Sequence, residues 1–211
     1  MLLDADDCQL VLVDYQTRLM PVIFESELVI ANATRLARMA QLFQVPVWGT
    51  EQTPDKLGSS VPAVVAALEA AGGKTLVKAH FSAAADGLID WLRPVVHKQA
   101  GADHSRGNAR SLPKHLQKAA PEPQEGRSTI VIAGCEAHVC LLQTALDLLE
   151  EEFDVWVVTD ACSARSERNR DAAFDRLAGN GAELVTTEMV AFEWLGSAAH
   201  PAFKEVLRLI K

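Results

Sequence analysis

Apolar positions come along this chain in short unbroken runs, separated by longer stretches with helical spacing. Residues 9–13, Gln-Leu-Val-Leu-Val, form the first run, end on Asp14 and predict a buried strand. Pro21 and the Ser26-Glu27 pair precede a helical pattern that puts Leu28, Ala31, Leu36, Met39, Ala40 and Phe43 mainly on one face. Residues 45–49 predict a second strand and 50–58 a loop. Ser59 then caps a helix that runs through Leu68 and stops at Gly72-Gly73. Residues 75–77 predict a third strand ending on Lys78, followed by a helix over 85–96 that buries Leu88, Ile89, Trp91 and Leu92. After an interruption the alternation resumes, with strands at 129–133, 155–159 and 183–187. Helices are predicted at 138–151, 168–179, 188–195 and 201–210.

Strands that are continuously apolar and alternate with helices imply a parallel sheet covered on both faces, a three-layer α/β/α fold. A six-stranded sheet in the order 3-2-1-4-5-6 reverses its winding between the first and fourth strands. Ligands of such sheets bind at that reversal, beyond the carboxyl ends of the strands. Asp14, Lys78 and the segment Gly134-Cys135-Glu136-Ala137-His138-Val139-Cys140 all follow directly on strands. If the strands take that order, Asp14 and Cys140 face each other across the crevice.

Composition narrows the class. The 211 residues, 49% of them hydrophobic, suffice for one domain spanning 1–211 with a full core. A net charge of −8 and a pI near 5.2 exclude a nucleic-acid binder, which needs a basic face; an acidic substrate would need a local cation. No apolar run approaches the roughly 20 residues of a membrane span, and residues 1–7 carry three acids where a signal peptide needs basic and apolar character. The expectation is a cytoplasmic protein. Residues 97–127 break the rhythm, being rich in Gly, Pro, Lys, Arg and His, and read as an insertion with a short helix near 112–119. Its histidines, His97, His104 and His115, lack ligand-like spacing. The four cysteines, Cys8, Cys135, Cys140 and Cys162, are too few for a disulfide framework and form no C-x-x-C pair.

Cys140 differs from the others by its place at a helix start, where free backbone N–H groups and the helix dipole favour thiolate over thiol. A catalytic thiol also needs a base and a positive charge, which Asp14 and Lys78 can supply; the ammonium keeps the carboxylate charged in an apolar crevice. Such a group attacks a carbonyl carbon while Asp14 takes the thiol proton and returns it to the leaving group. The backbone N–H groups of Glu136 and Cys140 are the candidate oxyanion donors. Gln16, Thr50, Gln52, Phe81 and His138 stand beside the same strand ends and are candidate pocket residues for a small-molecule substrate. His138 is too close in sequence to pair with Cys140, because two helical residues point about 200° apart. Gly73-Lys74-Thr75 is no P-loop, since Leu68 holds the position of the required glycine, and no G-x-G-x-x-G follows the first strand.

Residues 11–16, the segment Lys78-Ala79-His80-Phe81-Ser82 and residues 134–140 together resemble the isochorismatase-like cysteine hydrolase superfamily. The subgroup of isochorismatase domain-containing proteins is similar also in Thr50-Glu51-Gln52, Asp160-Ala161-Cys162-Ser163, His200-Pro201 and Phe203-Lys204-Glu205. The resemblance implies an Asp14-Lys78-Cys140 triad and a cis peptide bond between Cys135 and Glu136. It further implies C–N bond hydrolysis without a cofactor, and a homodimer or higher homo-oligomer, to which the apolar C-terminal helices around Trp194 and Leu207 would contribute. Isochorismatases proper carry glycine where this chain has Cys140, which speaks for thiol chemistry here. Nicotinamidases of the superfamily bind a metal through an Asp-x-His pair after the second strand. Thr50-Glu51-Gln52-Thr53-Pro54 holds no histidine, so no metal site is expected. An inert binding protein of the same fold, and a thiol redox sensor, remain the other readings.

Overall fold

The computed structural model describes residues 2–93 and 126–211. The expected insertion therefore falls outside the described residues but for Gly126 and Arg127, and the short helix near 112–119 and the histidines at 97, 104 and 115 lie outside them altogether. The described strands are β1 (Cys8–Val13), β2 (Val47–Gln52), β3 (Lys74–Lys78), β4 (Thr129–Gly134), β5 (Asp154–Val158) and β6 (Glu183–Val185). They form one sheet, parallel throughout, in the order β3-β2-β1-β4-β5-β6.

β1 and β4 occupy the middle of the sheet, and every residue of both is buried. Hydrophobic burial of two such strands is the main force that fixes the register. Val13 pairs with Thr50 on one side and Gly134 on the other, and Gln52 pairs with Lys78. The carboxyl ends of β1, β2, β3 and β4 thereby reach one rim of the sheet. On one face lie α1 (Ser26–Phe43) and α3 (Pro62–Ala70), with α7 (Thr187–Leu195) and α8 (Phe203–Ile210) packed against α1; α2 (Pro54–Leu57) is a single turn in the β2–α3 connection. On the other lie α4 (Leu88–Leu92), α5 (Leu142–Glu150) and α6 (Glu167–Gly179), completing three layers. No helix among the described residues is long and apolar enough to cross a membrane.

Several boundaries differ from the expectation for identifiable reasons. β2 starts after Pro46, which cannot donate to a ladder, and continues through Thr50 to Gln52, residues expected in a loop. α3 starts at Pro62, a favoured first helical residue, and Ser59 caps nothing. Ser60 instead donates its N–H to Glu51 Oε1 at 2.6 Å. The buried face of α1 is centred on Val29, Asn32, Ala33 and Leu36, while Leu28 faces solvent. β3, at the sheet edge, exposes Lys74, Thr75 and Val77 and is not the covered apolar strand expected. Trp194, expected at a subunit contact, is 5% exposed and packs edge-on against Phe43 inside the fold.

Candidate active site

At the carboxyl end of β1 the chain turns sharply, with Asp14 at a φ of 55°. That conformation is uncommon for a residue with a Cβ, though aspartate tolerates it better than most. The turn directs the carboxylate back over the strand ends. Asp14 Oδ1 accepts from Thr50 Oγ1 at 2.7 Å. Oδ2 lies 2.7 Å from Lys78 Nζ, with both side chains 0% exposed, yet has no hydrogen bond of good alignment. The ammonium instead aims its protons at Gln52 Oε1 at 2.7 Å and the carbonyls of Phe81 at 3.1 Å and His80 at 3.4 Å. Lys78 is thus buried with its donors satisfied, and Asp14 balances its charge.

Two further layers hold this pair. Gln16 donates to the carbonyls of Gln52 and Gly58 and accepts the Gln52 N–H at 2.8 Å, which clamps the end of β2. Gln52 Nε2 donates to Ala79 O at 2.7 Å, leaving its Oε1 turned to Lys78. Gln16, Thr50 and Gln52 therefore stand in the wall behind the Asp14–Lys78 pair. Asp86 accepts the N–H groups of Ala79 and His80, both at 2.9 Å, and pins the loop whose carbonyls hold Lys78. Phe81 lends its carbonyl to Lys78, while its side chain belongs to a residue 54% exposed.

Opposite, β4 ends at Gly134, against which Val13 packs so closely that a Cβ would collide with its carbonyl. Glycine alone fits this approach. The Cys135–Glu136 peptide is cis, and Cys135 N–H donates to Val13 O while Ala137 N–H donates to Ser163 O. No acceptor for the Glu136 N–H exists among the described residues. The expected helix does not begin directly. Ala137–Leu141 makes one turn of π-helix before α5, a widening that recurs at functional sites. Cys140 sits in that turn, 7% exposed, near enough to Asp14 and Lys78 for both to act on its thiol. Burial, first, and then the Asp14 charge push the thiol up to about 12, with Lys78 opposing. This runs against the expectation of a thiolate favoured by the helix start: burial and the Asp14 charge hold the group as the thiol.

His138 is half-buried. Its Nε2 is 3.4 Å from Asn169 Nδ2 at the start of α6, and its Nδ1 is enclosed without a partner among the described residues. One contact has no counterpart in the sequence pattern. Glu136 Oε2 accepts both the backbone N–H and the Nε–H of Arg165, each at 3.0 Å. A lone arginine in a loop carries no periodic or motif signal.

Comparison with known proteins gives this arrangement a family. An isochorismatase domain model matches residues 108–189. Isochorismatase domain-containing protein 2 of Pongo abelii is 37% identical over 183 residues, 87% of this chain and 73% of that protein. Among solved structures, a Caenorhabditis elegans protein described as MAR1 ribonuclease superposes with a TM-score of 0.81 at 30% identity, covering 100% of this chain and 92% of its own. YcaC from Pseudomonas aeruginosa, solved with hexane-2,5-diol and covalent acrylamide, gives 0.76 at 25% identity over 99% and 91%. The Escherichia coli YcaC product, described as an octameric hydrolase of unknown specificity, gives 0.72 at 25% over 100% and 95%. With sequence identity sustained over most of its length and a superposition that covers all of it, this chain belongs to the isochorismatase-like hydrolase family.

Proposed function

We propose that the protein is a cysteine hydrolase that cleaves a small amide, imide or related carbonyl compound through a thioester on Cys140. The observation that carries this reading is the enclosed Asp14–Lys78 pair at the rim of the sheet, with the nearly buried Cys140 thiol close enough for both to act on it. A thiol pushed up to about 12 cannot react as a standing thiolate at neutral pH. It needs a base in contact, and Asp14 is that base. Asp14 takes the Sγ proton as sulfur bonds to the carbonyl carbon. The oxygen gains the negative charge, received by the N–H groups of Glu136 and Cys140. Asp14 then gives the proton to the leaving nitrogen and the C–N bond breaks. Water, deprotonated by the same carboxylate, cleaves the thioester and restores the thiol. Lys78 keeps a positive charge beside Asp14 throughout. None of these steps calls on a cofactor.

Covalent acrylamide in the Pseudomonas aeruginosa neighbour accords with a reactive nucleophile in this fold. The ribonuclease name of the Caenorhabditis elegans neighbour suggests a phosphodiester instead. A net charge of −8 disfavours a polyanion such as RNA. The reading also takes the protein to be a homo-oligomer, as the Escherichia coli neighbour is; light scattering on the purified protein measures the assembly, and a monomeric mass would contradict it.

The test is a hydrolysis screen over small amides and imides, with a structured-RNA control and intact-mass spectrometry of quenched reactions. Turnover of at least one amide, an acyl adduct mapped to Cys140, and loss of both in Cys140→Ala are expected. RNA cleavage that survives Cys140→Ala, or adducts confined to Cys8 or Cys162, would overturn the reading.

A further inference from the structure

The geometry points to Arg165 as a specificity-determining residue that selects substrates bearing a carboxylate. This rests on the cysteine-hydrolase reading and names the substrate class for that site. In an acidic protein an anionic substrate needs a local cation. Lys78 is unsuited to the task, being buried against Asp14 with its protons directed at Gln52, Phe81 and His80. Arg18, in the connection after β1, spends Nη1 on the carbonyl of Lys56. Arg170, on α6, has Glu25, Glu167 and Asp171 within ion-pair distance.

Arg165 differs from all three. Its backbone N–H and its Nε–H converge on one oxygen of Glu136, the residue whose own N–H is the candidate oxyanion donor. Two residues earlier, Ser163 accepts the Ala137 N–H and bridges to Cys135, so the loop is fastened along the turn it serves. These contacts fix Arg165 within one side-chain length of the Glu136 N–H. They use only the Nε edge of the guanidinium. Nη1 and Nη2 have no acceptor among the described residues, and the side chain is 62% exposed. An exposed Arg–Glu pair adds little to stability. What it does is hold the arginine's orientation, leaving a two-pronged edge of the kind that grips a carboxylate bidentately. A substrate with its amide carbonyl on the Glu136 N–H and a carboxylate a few atoms away would meet that edge. A neutral amide of the same length would not.

Two nearly isosteric thiol probes test this without requiring turnover: 3-maleimidopropionamide, which is neutral, and 3-maleimidopropionate, which carries a carboxylate. Rates of modification at Cys140 are measured for the wild type, Arg165→Met and Arg165→Lys, each divided by the rate with glutathione. A charge-assisted contact predicts a normalised preference of about tenfold to a hundredfold for the anionic probe in the wild type, lost in Arg165→Met and partly kept in Arg165→Lys. Succinamate against butyramide in the amide screen should follow the same order through KM. An unchanged probe ratio in Arg165→Met overturns the inference and leaves the hydrolase reading standing. Failure of Cys140 to react with either probe removes both.

Discussion

Cys140 sets the chemistry at the scale of single residues, and its environment predicts an unusual reactivity profile. Ordinary thiols ionise near 8.5, so their alkylation rates level off above about pH 9. Burial and the Asp14 charge move Cys140 up to about 12. Its alkylation by iodoacetamide should therefore keep rising from pH 7 to pH 10.5 without a plateau, followed by peptide mapping; levelling near pH 8.5 would mean an exposed, ordinary thiol. Lys78 and Asp14 make a second prediction. Lys78→Met leaves the 0%-exposed Asp14 carboxylate without its counter-charge and should cost about 3–5 kcal/mol in urea unfolding. Adding Asp14→Asn to it should recover part of that loss, because the charge left behind is gone; a double variant no more stable than the single would locate the cost in lost packing. In the sequence Asp14 stood out by following directly on an apolar run, Lys78 by closing a short one, and Cys140 by its place at a helix start. The state of the thiol was not legible there. It depends on how deeply three separate segments bury the sulfur, and no local pattern encodes that depth.

Elements position these residues through a few close approaches. The β4–π-turn junction works because Gly134 lets Val13 come within contact distance of its backbone, at a φ of 157°. Gly134→Ala would drive a methyl group into the Val13 carbonyl and Cβ, both on the central strand. Overpacking of this kind costs about 1–3 kcal/mol, and the strain is relieved by shifting the turn that carries Glu136 and Cys140. The expected outcome is a lower urea midpoint together with a fall in Cys140 alkylation larger than the stability loss accounts for. Equal alkylation in both proteins would show that the turn tolerates the shift. The same junction marks where sequence reasoning runs out. The strand, the glycine and the helix that follows were readable from runs and spacing. The π-turn was not, because one extra residue in a helical turn leaves the apolar spacing of α5 nearly intact. β2 was misplaced for a related reason. Thr50 and Gln52 look like loop residues, but they are buried by pairing with Asp14 and Lys78, so their polarity reflects the site and not solvent. The Glu136–Arg165 contact joins the ends of two loops far apart in sequence, which alternation cannot reveal.

Over the whole molecule, the parallel three-layer architecture followed from alternation and crossover handedness, while the order β3-β2-β1-β4-β5-β6 entered as a condition that the structure meets. How the core responds to pH required the packed structure. All four cysteines are free and buried. Burial raises Cys8 to about 11 and Cys135 and Cys140 to about 12, and it lifts Cys162 and Tyr15 well above their usual range. The unfolded chain releases these protons at lower pH than the native protein does. Each thiol therefore contributes stability that is fully present below the ordinary thiol range near 8.5 and is lost as pH rises toward its raised value, about 11 for Cys8 and about 12 for Cys135 and Cys140; Tyr15 acts in the same sense above its own ordinary value near 10. The urea midpoint, measured under reducing conditions, should stay nearly flat from pH 7 to 8.5 and then fall steadily to pH 11. Growing negative charge on an acidic protein would also weaken it at high pH, so the slope alone does not assign the cause. Cys8→Ala separates the two. It removes one buried thiol while leaving the surface charge untouched, and should flatten the alkaline decline although cavity formation lowers the midpoint at pH 7. A parallel downward displacement with the same alkaline slope would assign the decline to surface repulsion and sink the argument from buried thiols.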